Sequence, residues 1–164
     1  CTTNTNSNPT LEYTSIDGED SGRVTLSCHE LNFRAILSQF HSSIHIIVGV
    51  LSSAAGQGPS KRQSIRSTWA SNQEGVFFIV AGPWKDIETE YHKYGDLIWI
   101  DAEEVYEGED SVLTFKTYGF IAIAQAAASK NGYDDYTHFF KTDDDSYVSL
   151  RALRRELDYN DPSR

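Results

Sequence analysis

Ile44-His45-Ile46-Ile47-Val48-Gly49-Val50-Leu51 is a nearly continuous apolar, β-branched run that ends in the small-residue stretch Ser52 to Gly58. A strand with one wet face alternates apolar and polar residues, so a run apolar at both parities reads as a strand buried on both faces, the habit of parallel sheets. Reading outward, Pro59-Ser60 opens a helical stretch to Trp69 with proline in the first turn,. Val76-Phe77-Phe78-Ile79-Val80 is a second apolar run, and Asp86–Tyr94 a short polar helix. Leu97-Ile98-Trp99-Ile100 is a third strand, stopped at Asp101. Leu113–Lys130, rich in Ala, Ile and Phe, is the strongest helix, closed by Asn131-Gly132,. Thr137-His138-Phe139-Phe140-Lys141 is a fourth strand, and Leu150–Leu157 a last helix with Ser149 as its cap,. Strands alternating with helices predict an α/β domain over residues 44–164, with a parallel sheet covered on both faces. Ligands of such sheets sit at the carboxyl ends of the strands, where Ser52–Gly58, Asp101 and Asp143-Asp144-Asp145 all fall,.

Residues 1–43 differ from the rest. Thr2 to Thr10 is a Thr/Asn/Ser tract and Asp17–Gly22 an acidic turn, a composition that buries little surface and reads as a largely irregular stem,. A short strand at Arg23–Ser27 and a helical turn at Leu31–Phe40 are its candidate ordered pieces. Cys1 and Cys28 are too few for a disulfide scaffold; two free thiols are expected, and one bridge is the alternative,. The chain begins at Cys1, contains no methionine and stops at Arg164, so it reads as a piece of a longer polypeptide.

Fourteen basic residues against 24 acidic ones give a net charge of −10, which argues against a protein that grips a nucleic-acid backbone,. It does not exclude a nucleotide, which needs only a few local cations or a metal. No apolar run approaches the roughly 18 residues needed to span a bilayer.

Asp143-Asp144-Asp145 is the sharpest local feature. Three adjacent carboxylates repel one another unless a cation neutralises them. In an extended chain Asp143 and Asp145 point to one side and could share a hard divalent ion, with phosphates completing its sphere. The alternative is a solvated acidic turn that caps the following helix. An EF-hand fits poorly, because Val148 or Leu150 stands where its turn requires glycine,. Gly56-Gln57-Gly58 lacks the third glycine of a dinucleotide fingerprint and the Gly-Lys-Ser/Thr of a Walker loop,. Arg62 and Arg66, four apart on one helix, offer an anion clamp or an ordinary charged face,. His41 and His45 have ligand-like spacing, but His45 lies in the apolar run and reads as structural.

Five stretches tie these features together. Arg62-Gln63-Ser64-Ile65-Arg66-Ser67-Thr68-Trp69 resembles an Arg-x-x-Ile-Arg-x-Thr-Trp segment, and Val76–Gly82 its following strand. Tyr94-Gly95-Asp96-Leu97-Ile98 with Asp101, Leu113-Thr114-Phe115-Lys116-Thr117, and Lys141-Thr142-Asp143-Asp144-Asp145-Ser146-Tyr147-Val148 match further signatures in the same order. In these the chain resembles the β-1,3-galactosyltransferases, a family that includes β-1,3-N-acetylglucosaminyltransferases and, more distantly, Fringe-like enzymes. The resemblance covers Ile44 to Leu157, the donor-binding half of such an enzyme.

The resemblance implies a GT-A type nucleotide-sugar fold, here truncated. It implies inverting transfer of galactose or N-acetylglucosamine from a UDP-sugar to a hydroxyl of a glycan or glycoprotein acceptor, in β-1,3 linkage. Mn²⁺ would be held by Asp143 and Asp145. Ser52, Ser53, Arg62, Arg66, Asp143 and Asp144 would line the donor pocket, and Asp101 would sit near the uracil or ribose. The implied setting is the Golgi lumen, as part of a single-pass type II membrane protein whose signal anchor is not in this chain. Glu107-Gly108-Glu109-Asp110-Ser111-Val112 departs from the family spacing. The family's Glu-Asp-Val segment does not occur, so the general base it carries is expected beyond Arg164. The chain as given is therefore expected to bind donor without transferring it. Two other readings remain at this stage: a non-catalytic carbohydrate- or nucleotide-binding module, and an acidic interaction domain.

Overall fold

The computed structural model describes residues 10–14, 21–25, 46–73, 75–106, 111–130 and 138–160. Within the segment read as a stem, β1 (Thr10–Thr14) pairs antiparallel with β2 (Ser21–Thr25). Both cysteines, the Leu31–Phe40 stretch, His41 and His45 lie outside the described residues, as do positions 107–110. The chain end from Asp161 to Arg164 lies outside them too.

The domain is built on β3 (Ile46–Leu51), β4 (Val76–Ala81), β5 (Leu97–Ile100) and β6 (His138–Asp143). Four helices accompany them: α1 (Gly58–Ser67), α2 (Trp84–Tyr94), α3 (Val112–Lys130) and α4 (Leu150–Tyr159). The strands form one all-parallel sheet in the order β5-β4-β3-β6. The chain thus steps outward from β3 to β5 and then recrosses the sheet to lay β6 beside β3. That reversal puts a topological switch point between the carboxyl ends of β3 and β6.

Alternation along the strands divides the core in two. Val48, Val50, Phe78, Val80 and Leu97 pack under α1, α2 and α4 through Ile65, Ile87, Tyr91 and Leu150. The opposite face carries α3, whose Val112, Lys116 and Phe120 recur every four residues and are all buried. Phe120 lies so close to β3 that a Cβ at Gly49 would come within 2.8 Å of its ring. Only glycine lets the helix sit that near the sheet. This is an α/β fold with helices on both faces, consistent with a GT-A-like domain. Among the described residues no helix is long and apolar enough to cross a membrane.

The elements expected over residues 44–164 are present with small shifts at their ends, whereas in the stem the strand expected at Arg23–Ser27 runs Ser21–Thr25 and its partner β1 was not expected. The fourth strand runs past Lys141 to Asp143, because its ladder with β3 continues until Leu51 faces Asp143. Ser149 caps α4 as expected, its hydroxyl accepting from the Ala152 N–H at 3.3 Å.

Candidate functional site

The loop after β3 and the turn after β6 meet at the switch point. Ser52 follows the last residue of β3, and its hydroxyl donates to Asp144 Oδ2 at 2.8 Å. The Asp144 backbone N–H donates to Leu51 O at 3.1 Å, so main chain and side chain both join the two strand ends. Lys61, in the first turns of α1, donates from Nζ to Asp144 Oδ1 at 2.8 Å. Both oxygens of the middle aspartate are therefore occupied, and its side chain is only 12 % exposed. The hydrogen bond to Asp144 holds the Lys61 ammonium above the ordinary lysine range.

The triplet is not extended throughout. β6 ends at Asp143, and Asp144 and Asp145 form a turn in which the Ser146 N–H donates to Asp143 O at 3.2 Å. Asp143 and Asp145 are exposed, while Asp144 is partly buried. Lys141 pairs with Asp143 at 3.8 Å. Asp145 has no hydrogen-bond partner among the described residues. With Ser149 as the cap of α4, the triplet does not serve that purpose.

Among the described residues no group of three or more His, Cys, Asp and Glu side chains is placed to hold a metal by itself. Two exposed, poorly neutralised carboxylates beside a filled third fit an ion that takes its remaining ligands from a phosphate and water. Asp145→Ala should accordingly leave the metal-free fold as stable as the parent or slightly more so, since it deletes one of three like charges. Urea midpoints of the two proteins check this, and a large loss of stability in the variant would mean that Asp145 supports the turn.

Arg62 and Arg66 are not an open anion clamp. Arg62 is fully buried. Its Nε donates to Glu90 Oε1 at 2.8 Å, and its Nη1 donates to Ser52 Oγ at 2.9 Å and also to Ser53 O. Arg66 donates to Glu90 Oε1 at 2.8 Å and grips Asp96 with two nitrogens at 2.7 Å. Its guanidinium also stacks over Tyr94, 4.0 Å from the ring centroid. The clamp expected from their spacing exists, but carboxylates of the protein fill it. Burial alone would push the Glu90 carboxyl upward; the hydrogen bonds and charges of Arg62 and Arg66 outweigh it and hold the group below the usual range.

A second buried cation grips the same loop from the opposite face. Lys116 Nζ donates to Ser52 O at 2.8 Å and to Glu104 Oε1 at 2.6 Å. Glu104 in turn accepts from the Ala54 N–H at 3.0 Å and from Tyr106 Oη at 2.8 Å. Burial pushes the Lys116 ammonium below the ordinary lysine range, although Glu104 pulls the other way. Burial, helped by the hydrogen bond to Glu104, pushes the Tyr106 phenol far up. Neither Lys116 nor Glu90 was among the site residues expected from sequence. Lys116 carried a signal, a charge in the apolar phase of α3; Glu90 carried none.

Ser53 serves the loop itself, its hydroxyl donating to Ala55 O at 2.9 Å. Asp101 is exposed beyond the end of β5, three strand spacings from β6, roughly 14 Å by the usual interstrand distance,. The structure therefore unites Ser52, Arg62 and Asp144 directly and sets Asp101 at the far side of the same sheet edge, a span that suits an elongated ligand.

No curated protein matches the chain. A family model described as Galactosyltransferase does match it, over residues 60–164, from the start of α1 to Arg164 and so through the aspartate turn and α4. That span is well over half of the polypeptide, and it carries the parallel sheet from β4 to β6 as well as both charged clamps on the β3 loop. The chain belongs to the galactosyltransferase family.

Proposed function

We propose that this chain is the donor- and metal-binding part of an inverting hexosyltransferase. It would use a UDP-sugar carrying galactose or N-acetylglucosamine, with a glycan or glycoprotein hydroxyl as acceptor and a β-1,3 linkage as product. The observation that carries the reading is the aspartate turn at the switch point of a parallel sheet, where Asp143 and Asp145 face solvent and Asp144 is tied to the β3 loop. Asp143 and Asp145 would hold Mn²⁺. When bound, such an ion neutralises the diphosphate as it becomes the leaving group.

The chain's own residues do the rest. Ser52, Ser53 and Asp144 form the wall against which the diphosphate lies, and Asp101 is placed for the nucleoside end. Arg62 and Arg66 act by fixing that wall, since their nitrogens are taken by Glu90, Asp96 and the loop. Two carboxylates close to the cleft are ill suited to serve as general base: Glu104 is spent on Lys116 and Ala54, and Glu90 on the two arginines. Neither is therefore the base of this reading. The setting that goes with this reading is the Golgi lumen, with attachment to the membrane through an anchor outside these 164 residues.

Calorimetry tests it. UDP should bind with Mn²⁺ present and lose that binding in a chelator, because the diphosphate otherwise meets three carboxylates set against only Lys61 and Lys141, in a chain of net charge −10,. Equal affinity in both conditions would remove the metal from the site.

A further inference from the structure

We propose that Lys61 is the phosphate-binding cation of this cleft, held on Asp144 in the free protein and transferred to an oxygen of the donor's diphosphate when the nucleotide enters. The inference rests on the nucleotide reading of the site and adds to it a residue and an exchange.

Among the described residues the cations that reach the switch point are Lys61, Arg62, Lys116 and Lys141. Arg62 is fully buried and Lys116 is 1 % exposed. Each is held by a carboxylate and by oxygens of the β3 loop, so neither can turn outward without undoing the loop. Arg66 stands one helical turn further on and is gripped by Glu90 and Asp96. Lys141 is exposed, but it lies two residues before the end of β6, roughly 7 Å back along the strand from where a ligand would sit,. Lys61 differs from all of these. Its side chain is 35 % exposed, its one hydrogen-bond acceptor among the described residues is Asp144, and the charge of Asp145 acts on it as well. It reaches from α1 across the switch point to the turn after β6.

The exchange conserves the charge-assisted bond of Lys61. An ammonium has three donor hydrogens on a flexible stem, so turning from a carboxylate to an adjacent phosphate oxygen replaces one charge-assisted bond with another. Asp144 keeps the Ser52 hydroxyl as a donor when Lys61 leaves. That hydroxyl already accepts from Arg62 Nη1, so its own proton stays directed at Asp144,. The wall of the site therefore remains in place while its cation changes partner.

Lys61→Met tests the assignment, with Lys61→Arg as the conservative companion. Three ligands are titrated into each protein: MnCl₂ alone, UDP at saturating MnCl₂, and uridine. The Met variant should bind UDP roughly tenfold to hundredfold more weakly, the range of one lost charge-assisted contact. Uridine should bind it as it binds the parent. Mn²⁺ alone should bind about threefold more tightly, because a positive charge has left the neighbourhood of the triplet. The Arg variant should retain most of the UDP affinity. Opposite shifts for metal and UDP are something a merely supporting residue cannot produce. Unchanged UDP binding in the Met variant overturns the proposal, and so does a parallel loss of metal, UDP and uridine. If the parent itself binds no UDP with Mn²⁺ present, the nucleotide reading fails and the inference fails with it.

Discussion

Glu90→Ala should destabilise the domain by about 3–5 kcal/mol, the usual consequence of removing one partner from a buried ion pair. Glu90 is the common acceptor for two arginines, and one of them has no access to water. Without the carboxylate, Arg62 keeps its charge and retains only Ser52 Oγ and Ser53 O as partners. A guanidinium cannot escape by losing its proton. The domain must open to hydrate it, or the loop after β3 must move. Urea unfolding followed by tryptophan fluorescence measures the loss, and a change below about 1 kcal/mol would show that water reaches Arg62 in the folded state.

The same pair gives stability a pH dependence with a definite sign. The Glu90 carboxyl is held below its ordinary value of 4.5 in the folded protein. Its contribution is present above that value and disappears as pH falls from there through the folded pKa. Acid should therefore narrow the gap between parent and Glu90→Ala, a convergence that a purely steric effect of the substitution would not show.

The second large effect is expected at Gly58. A Cβ there would stand 2.0 Å from the Ser53 carbonyl oxygen, which is backbone and cannot swing aside. Gly58→Ala must displace the loop or the first turn of α1, and either movement separates Arg62 from Ser53 O. Loss of several kcal/mol is expected, on the scale of other severe backbone and packing lesions, about 3 kcal/mol or more. UDP binding in the presence of Mn²⁺ should fall with it. Gly56→Ala is the control, because a Cβ at that position meets nothing within 4 Å, although its positive φ adds a smaller strain,. Equal stability of the Gly58 variant and the parent would mean that the loop is less tightly seated than its contacts imply.

Most of the scaffold was legible because its signals are local. The apolar runs at 46–51, 76–81 and 97–100, each closed by small or acidic residues, have no competing helical reading. The end of β6 was harder to place. Thr142 and Asp143 look like loop residues, and only the ladder with Val50 and Leu51 makes them strand. The site divides in the same way. The acidic turn announced itself in three consecutive letters, although the chain bends after Asp143 and is not extended through all three. The fate of Arg62 and Arg66 could not be read in the same manner. A helical spacing of four shows that two cations share a face; it does not show whether that face meets a ligand or Glu90 and Asp96, which lie about 30 positions away. Long-range charge pairing leaves no periodic trace. Lys116 is the intermediate case, since a lysine in phase with Val112 and Phe120 must be buried, and a buried ammonium must have an acceptor,.

The loop after β3 is held between two interior cations, Arg62 from one helical layer and Lys116 from the other. This has a consequence for how such a sequence can drift over generations. Neither arginine nor lysine is replaceable alone, because each would strand a carboxylate or a carbonyl inside the protein. Replacing a complete set by well-packed apolar residues is often neutral or stabilising in other cores. Positions 62 and 66 should therefore change together with position 90, and position 116 together with position 104, as linked sets across a lineage. The set on one side of the sheet can be exchanged while the other remains, so the two halves of the grip are separable units of change.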